Sequence, residues 1–179
     1  MKHHIHEKGT WYVLRVETGH EDRAERELRK NIGTEALCDI CVPRSEYKRK
    51  FHGKWKIVQG ALFPGYIFVL TNDVFALHVM LPKISGITYI IKNDAGFLPL
   101  DEKGLSFLKA FRLFDDDVIG FSEGYIEGDE VFITKGPLQG QTAYIAKINR
   151  HKRIAILSVN MMGRDVEVKV GLEILVKRD

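Results

Sequence analysis

The sequence predicts an α+β fold followed by a small five-stranded β-barrel. Up to residue 112, strand-like runs alternate with amphipathic helical segments, which is typical of helices packed on one antiparallel-rich sheet. Beyond residue 124, short strand-like runs alternate with turn signals, and this pattern indicates a barrel. Residues 113–124 break the periodicity. They predict a flexible acidic linker between domains at 10–112 and 125–179.

Local signals justify the elements of the first domain. Thr18 and Glu21 form a capping-box pattern for the first helix, and Gly33 is expected to end it. Asp73 and Asp101 are expected N-caps of two further helices. His52-Gly53 predicts the turn of a hairpin. The expected order is strand 11–16, helix 18–32, strand 37–43, hairpin 45–59, strand 63–70, helix 74–81, strand 86–91 and helix 102–111.

The run Phe63-Pro64-Gly65-Tyr66-Ile67-Phe68-Val69-Leu70 is apolar on both of its alternating faces. Such a run predicts a central strand that is buried on both sides. Pro64 has no N–H for a sheet ladder and is expected at the strand's entry. Phe63 and Tyr66 then lie beside a rigid corner, where they either pack into the core or form the rim of a docking pocket.

The barrel is expected to contain strands 130–134, 142–148, 153–159, 166–170 and 173–176. The third and fourth of these runs are rich in Ile and Val, which favour strands over helix. We therefore expect a barrel rather than a helical hairpin, and we expect it to leave any pocket near Tyr66 open.

Composition and charge narrow the class of protein. The chain of 179 residues is 45% hydrophobic and has a net charge of only +3, so local basic patches are the candidate nucleic-acid signal. No apolar run is long enough to span a bilayer, the N-terminus lacks the pattern of a secretory signal, and two cysteines give no disulfide framework. We expect a cytoplasmic monomer without membrane contact.

Three patterns resemble chemical sites without predicting one. Cys38-x-x-Cys41 has zinc spacing, but no second pair exists, and in a strand the two side chains would face opposite ways. His3-His4-x-His6 could chelate a metal only adventitiously, and Asp115-Asp116-Asp117 has no partner cluster for nuclease chemistry. We expect no cofactor, no metal and no enzymatic activity.

Two sets of residues resemble the NusG family. Gly128-Asp129-Glu130-Val131, Ile133, Gly136-Pro137-Leu138 and Gly140 are similar to a KOW motif. Trp11-Tyr12-Val13, Val42-Pro43 and Phe63-Pro64-Gly65-Tyr66 resemble the family's N-terminal (NGN) domain, so the resemblance covers about residues 10–176. It implies an NGN-type domain linked to an SH3-like KOW barrel. It also implies docking on the clamp region of RNA polymerase through Trp11, Phe63, Pro64, Tyr66 and Ile84, unless these residues are simply core.

Within the family, the chain resembles the specialised LoaP-like paralogs. These are processive antiterminators whose KOW domain binds an RNA hairpin in a leader transcript. The resemblance implies RNA contacts from the basic residues of the barrel: Lys135, Lys147, Arg150, His151, Lys152, Arg153, Arg164 and Lys169. The alternatives are a general elongation factor whose barrel recruits a protein partner, or a ribosome-associated KOW protein that binds RNA.

The predicted hairpin forms a second basic segment. The family places its N-terminal domain beside the transcription bubble, so this hairpin is expected near DNA or nascent RNA. Phe51 and Trp55 could stack on exposed bases, or they could pack on each other across the hairpin. The cations of the segment are Arg44, Lys48, Arg49, Lys50, Lys54 and Lys56.

Overall fold

The computed structural model describes residues 9–178, so the His3-His4-x-His6 cluster lies outside the described part of the chain. Within the described part, no helix is both long and apolar enough to cross a membrane. The first elements are β1 (Thr10–Val16), α1 (Glu21–Asn31), β2 (Asp39–Cys41), β3 (Arg44–Phe51), β4 (Lys54–Ala61), β5 (Tyr66–Thr71) and α2 (Val74–Met80). They are followed by β6 (Ile87–Ile90), β7 (Lys92–Asn93), β8 (Gly96–Phe97), α3 (Glu102–Ala110) and β9 (Val118–Ile119).

The central sheet has the strand order β2-β5-β1-β6, and its pairings are antiparallel. β5 therefore lies inside the sheet, as the apolar run from Phe63 predicts. Ile67 and Val69 face a core formed with α1 and α2, and Phe68 belongs to the core on the opposite side of the sheet. The prediction of a strand that is buried on both faces is confirmed.

The last five strands form the predicted barrel. They are β10 (Ser122–Glu127), β11 (Glu130–Lys135), β12 (Ile145–Asn149), β13 (Ile154–Met161) and β14 (Arg164–Arg178), in the order β11-β10-β14-β13-β12. β14 runs through Gly171 as one strand, although the sequence predicts a turn there. It pairs with β13 up to Gly171 and with β10 from Leu172 onward. A Cβ at Gly171 would overlap the ring of Phe121 and the carbonyl of Glu46, so this glycine permits a close approach between segments.

The barrel and the central sheet share one apolar core. Phe63 and Phe68 from the sheet side cluster with Phe107 of α3, and the same cluster includes Leu157 and Val168 of the barrel. A hydrogen bond from a side chain to the backbone reinforces this packing: the hydroxyl of Ser45 donates to the carbonyl of Lys169 at 2.7 Å.

Residues 113–124 are also packed, whereas the sequence predicts a flexible linker. Leu113 and Ile119 are buried, and β9 pairs in parallel with β3. The amide of Arg44 donates to the carbonyl of Asp117 at 2.7 Å. The apolar residues on either side of the three aspartates supply the contacts that hold the segment. The two domain boundaries themselves stay predictions.

Two of the three predicted helix caps form. Asp73 accepts from the amide of Ala76 at 2.9 Å, and Asp101 accepts from the amide of Gly104 at 3.0 Å. The capping box at α1 does not form, because the side chain of Glu21 accepts from the amides of Gly19 at 3.1 Å and Gly65 at 2.6 Å. Glu21 therefore fixes the corner that precedes β5 instead of capping its own helix.

Candidate functional site

The β3–β4 hairpin presents its basic residues on two faces. His52 and Gly53 form the turn with φ values of 45° and 80°, which is the left-handed geometry of a tight hairpin. Lys50 lies opposite Trp55, and Phe51 lies opposite Lys54. Directly opposed residues share a face and neighbours along a strand do not, so Phe51 and Trp55 point to opposite sides of the hairpin. They cannot pack on each other, and that alternative is wrong.

A groove of about 660 Å³ lies between the hairpin and the barrel. Its hairpin wall includes Lys48, Arg49, Lys50 and Trp55, and its barrel wall includes His151, Lys152 and Lys169. The structure thus brings together two basic segments that are about a hundred positions apart in the sequence. Glu21 also lines the groove, but its carboxylate already accepts two backbone N–H groups.

Glu173 links the two walls at one edge of this groove. Its carboxylate forms ion pairs with Lys48 of the hairpin and with Arg153 of the barrel, the latter at 2.6 Å. The guanidinium of Arg153 lies over the ring of Trp55 at 4.5 Å, and the ammonium of Lys48 lies over the ring of Phe121 at 4.7 Å. One acidic residue is therefore ion-paired with two cationic side chains that are predicted to contact nucleic acid. The sequence carries no local signal for this arrangement.

The other predicted basic residues have different surroundings. Arg44 forms ion pairs with Asp22 and Glu25 of α1. Burial tends to lower the pKa of Arg44, but the hydrogen bond and charge of Asp22, helped by Glu25, raise it above its ordinary value. Arg44 thus fastens the hairpin to α1. The remaining predicted cations do not line the groove. They are Lys54 and Lys56 on β4, Lys135 on β11, Lys147 on β12, Arg150 in the turn before β13, and Arg164 at the start of β14.

The five residues predicted to contact polymerase divide into core and surface. Phe63 is buried and meets Phe68 and Phe107 edge-on, with centroids 5.5 and 6.0 Å away. Ile84 is buried, and Trp11 stacks on Phe114 at 4.5 Å. Only Pro64 and Tyr66 are exposed.

Tyr66 is held by a residue that the sequence does not single out. The guanidinium of Arg15 lies 4.8 Å from the centre of the Tyr66 ring and donates to the carbonyl of Gly65 at 3.0 Å. This contact orients the aromatic edge of β5.

The barrel also lines the cavity beside this edge, contrary to the expectation of an open pocket. A cavity of about 720 Å³ is bounded by Phe63, Tyr66 and Tyr89 on one side and by Met161, Met162 and Arg164 on the other. The amide of Met162 donates to Asp101 at 2.8 Å, which fixes the β13–β14 turn against α3. The expectation fails because the apolar face of α3 extends into the barrel core.

The two cysteines lie in different environments. Cys41 is buried and its thiol donates to the carbonyl of Leu113 at 3.2 Å, whereas Cys38 is half-buried. Burial raises the pKa of the Cys41 thiol well above its ordinary value, and the negative charge of Asp117 raises it further. Among residues 9–178, no group of three or more His, Cys, Asp or Glu side chains is placed to hold a metal ion.

A family model described as transcription termination factor NusG matches residues 9–108, which is more than half of the chain. The chain belongs to the NusG family. It is 25% identical over 173 residues to the transcription termination/antitermination proteins NusG of Staphylococcus aureus strains Mu50 and N315, with 91% of this chain and 92% of each relative covered. NusG proteins are non-enzymatic transcription factors, and this chain is a transcription termination/antitermination factor of that family.

The fold agrees with this assignment. A structure titled as a domain interaction in Thermotoga maritima NusG aligns with a TM-score of 0.56 and 18% identity, covering 93% of this chain and 94% of that one. The helix-covered sheet is an NGN-type fold, and the five-stranded barrel is its KOW counterpart.

Proposed function

We propose that this protein is a processive antiterminator of the LoaP-like type. It binds RNA polymerase through the edge at Pro64 and Tyr66, and it binds an RNA hairpin in a leader transcript through the basic groove. The observation that carries this proposal is the meeting of the two basic segments, since cations on the walls of one groove favour a polyanionic ligand.

The distribution of charge supports RNA as the ligand. The groove presents five lysine and arginine side chains together with His151, and its lining carboxylate, Glu21, is engaged by backbone N–H groups. Structured RNA is recognised largely through its shape and its phosphates, which suits a groove with cations on both walls. The next turn residue, Arg150, is exposed and extends the basic surface beyond the groove.

The exposure of Tyr66 supports the polymerase contact. Tyr66 is 38% exposed, while Phe63 and Ile84 are inside the core. An aromatic ring held at a rigid corner offers a large contact area with little loss of side-chain entropy. Phe63 would then support this edge from the core, and Tyr66 and Pro64 would make the contact, whereas Ile84 belongs to the core on the other face of the sheet.

A second candidate function is supported by a different surface. Phe132, Tyr125 and Val176 are paired across β11, β10 and β14, and Phe132 and Val176 are exposed by 38% and 48%. Tyr125 and Phe132 stack at 5.0 Å. An apolar row across three strands suits a protein partner, as expected of a general elongation factor.

The test uses hairpin RNA from the leader of the operon that encodes the protein, with a scrambled RNA as its competitor. Antitermination predicts selective, salt-sensitive binding. Changing both Arg150 and Lys152 to Gln should weaken RNA binding about tenfold or more while polymerase binding persists, because phosphate contacts dominate the affinity. Tyr66→Ala should weaken polymerase binding while RNA binding persists.

Lys103→Gln on the exposed face of α3 is the matched control and should leave both kinds of binding unchanged. Equal, weak binding to every RNA would overturn the hairpin assignment. It would favour the general factor if Phe132→Ser then removed a protein partner.

A further inference from the structure

Glu173 occupies a site that is suited to an anion from outside the protein. Its side chain is only 18% exposed, and the side chains of Lys48 and Arg153 that flank it are 21% and 29% exposed. A lysine from the hairpin and an arginine from the barrel thus converge on one pair of oxygens. Charge-assisted hydrogen bonds of this kind are the strong ones, and both cations bind carboxylate and phosphate oxygens alike.

The position of this pair connects it to the groove. Lys48 lines the groove itself, and Arg153 follows the groove residues His151 and Lys152 in the same turn. The backbone of Arg153 has a φ of 55°, and its carbonyl accepts from the amide of Leu172 at 3.0 Å. The turn is therefore fixed next to Glu173.

The aromatic rings at this edge already interact with the same two cations. Arg153 lies over Trp55, and Lys48 lies over Phe121. Recognition of single strands needs ring faces on which unpaired bases can stack. With ring faces covered by cations and charge on both walls, the site suits a phosphate backbone better than unpaired bases.

We propose that the groove is one composite site for the phosphate backbone of an RNA stem, built jointly by the β3–β4 hairpin and the barrel. Glu173 is the internal counter-ion of that site. Its single negative charge is shared between Lys48 and Arg153 in the free protein, offsets part of their positive charge and thereby limits the affinity for RNA. This inference rests on the RNA binding proposed above, and it adds the location of the stem and the residue that sets the affinity.

The first experiment measures binding of the leader hairpin RNA to the full chain with and without Glu173→Gln, between about 0.05 and 0.2 M salt. The substitution keeps the shape of the side chain and frees both cations. It should lower the dissociation constant for RNA about threefold to tenfold. The slope of log K against log salt should steepen by the equivalent of about one to two additional phosphate contacts. Glu102→Gln on α3 removes an exposed carboxylate away from the groove and should change neither quantity. Unchanged or weaker binding by a folded Glu173→Gln protein would overturn the counter-ion assignment.

A second variant covers the case in which Glu173→Gln fails to fold. The double variant Lys48→Met/Glu173→Met replaces the ion pair with two apolar side chains, a change that buried sites often tolerate. In this variant Arg153 is the one cation released from Glu173. This double variant should bind RNA more tightly than Lys48→Met alone. Equal or weaker binding by the double variant would overturn the assignment.

A third comparison tests whether both walls belong to the site. Lys50→Gln on the hairpin and Lys152→Gln on the barrel should each weaken binding and each reduce the salt slope by about 0.7 to 0.9. Lys103→Gln should have no effect. Loss of affinity in only one of the two variants would overturn the composite site and leave RNA binding intact, whereas absence of RNA binding by the unaltered protein would overturn the proposed function itself. Equal affinity for a DNA duplex of the same sequence would overturn the choice of RNA.

Discussion

Cys41 shows how one side chain is controlled by its surroundings. It lies at the end of β2 against the carbonyl of Leu113, in the segment that follows α3. Burial and nearby carboxylates keep its thiol protonated by raising its pKa. Because the thiolate is the reactive form, Cys41 should be inert in the folded protein.

This environment predicts a dependence of stability on pH. The pKa of Cys41 is higher in the folded protein than in the unfolded chain. The protonated thiol therefore contributes its full stabilisation below the unfolded pKa of about 8.5, and this stabilisation is lost as pH rises through the folded pKa. Urea unfolding at a series of alkaline pH values should show stability falling by up to about 1.4 kcal/mol per pH unit from this group.

Cys41→Ala should remove that component of the slope, and Cys38→Ala, the matched control, should retain it. Identical slopes in both variants would contradict the assignment. A thiol reagent should likewise modify Cys41 only when the protein unfolds.

At the same scale, the sequence identifies most of the basic residues of the site but not the acidic one. A run of lysines in a hairpin or turn is visible in the sequence. Glu173 is not, because its partner Lys48 lies 125 positions away and the two meet only after the barrel has packed. Likewise, the motif around Phe63 shows an aromatic corner, and only the packing against Phe107 shows which ring is core.

At the scale of the element, α2 and α3 have equivalent caps with different surroundings. Asp73 holds the start of α2 through the amide of Ala76 alone. Asp101 holds the start of α3 through Gly104 and also accepts from the amide of Met162 in the barrel. One carboxylate therefore ties a helix of the first part of the chain to a turn of the last.

This difference predicts unequal costs for the same substitution. Asp73→Ala should lower the free energy of unfolding by about 1 kcal/mol, the usual cost of losing an N-cap. Asp101→Ala should lower the free energy of unfolding by about 1 to 3 kcal/mol more than Asp73→Ala does, because it also leaves the amide of Met162 without that acceptor. Chemical denaturation of the two variants beside the unaltered protein measures both values. Equal costs would show that the contact with the barrel contributes nothing to stability.

The elements themselves are predictable where their signals are local. The caps at Asp73 and Asp101 and the hairpin turn at Gly53 follow from neighbouring residues. β10 is missed because its Ser and Gly residues resemble a linker, and the continuity of β14 is missed because Gly171 resembles a turn. Both depend on contacts with distant strands, which local sequence does not encode.

At the scale of the whole molecule, the shared core predicts cooperative unfolding. Phe107 contacts Phe63 and also meets Tyr144 of the barrel at 5.3 Å. Far-UV circular dichroism and tryptophan fluorescence should therefore report the same urea midpoint. Phe107→Ala should lower stability by about 3 to 5 kcal/mol as judged by both signals. Two separate midpoints in the unaltered protein would contradict a common core.

The shared core also has a consequence for synthesis. Translation proceeds at about 5–20 residues per second, so the 67 residues after position 112 take roughly 3 to 13 s to follow the helix-covered sheet out of the ribosome. During that interval the ring of Phe107 and the apolar side of α3 have no barrel to cover them. The nascent chain is therefore prone to non-specific association with other proteins until strand β14 is complete.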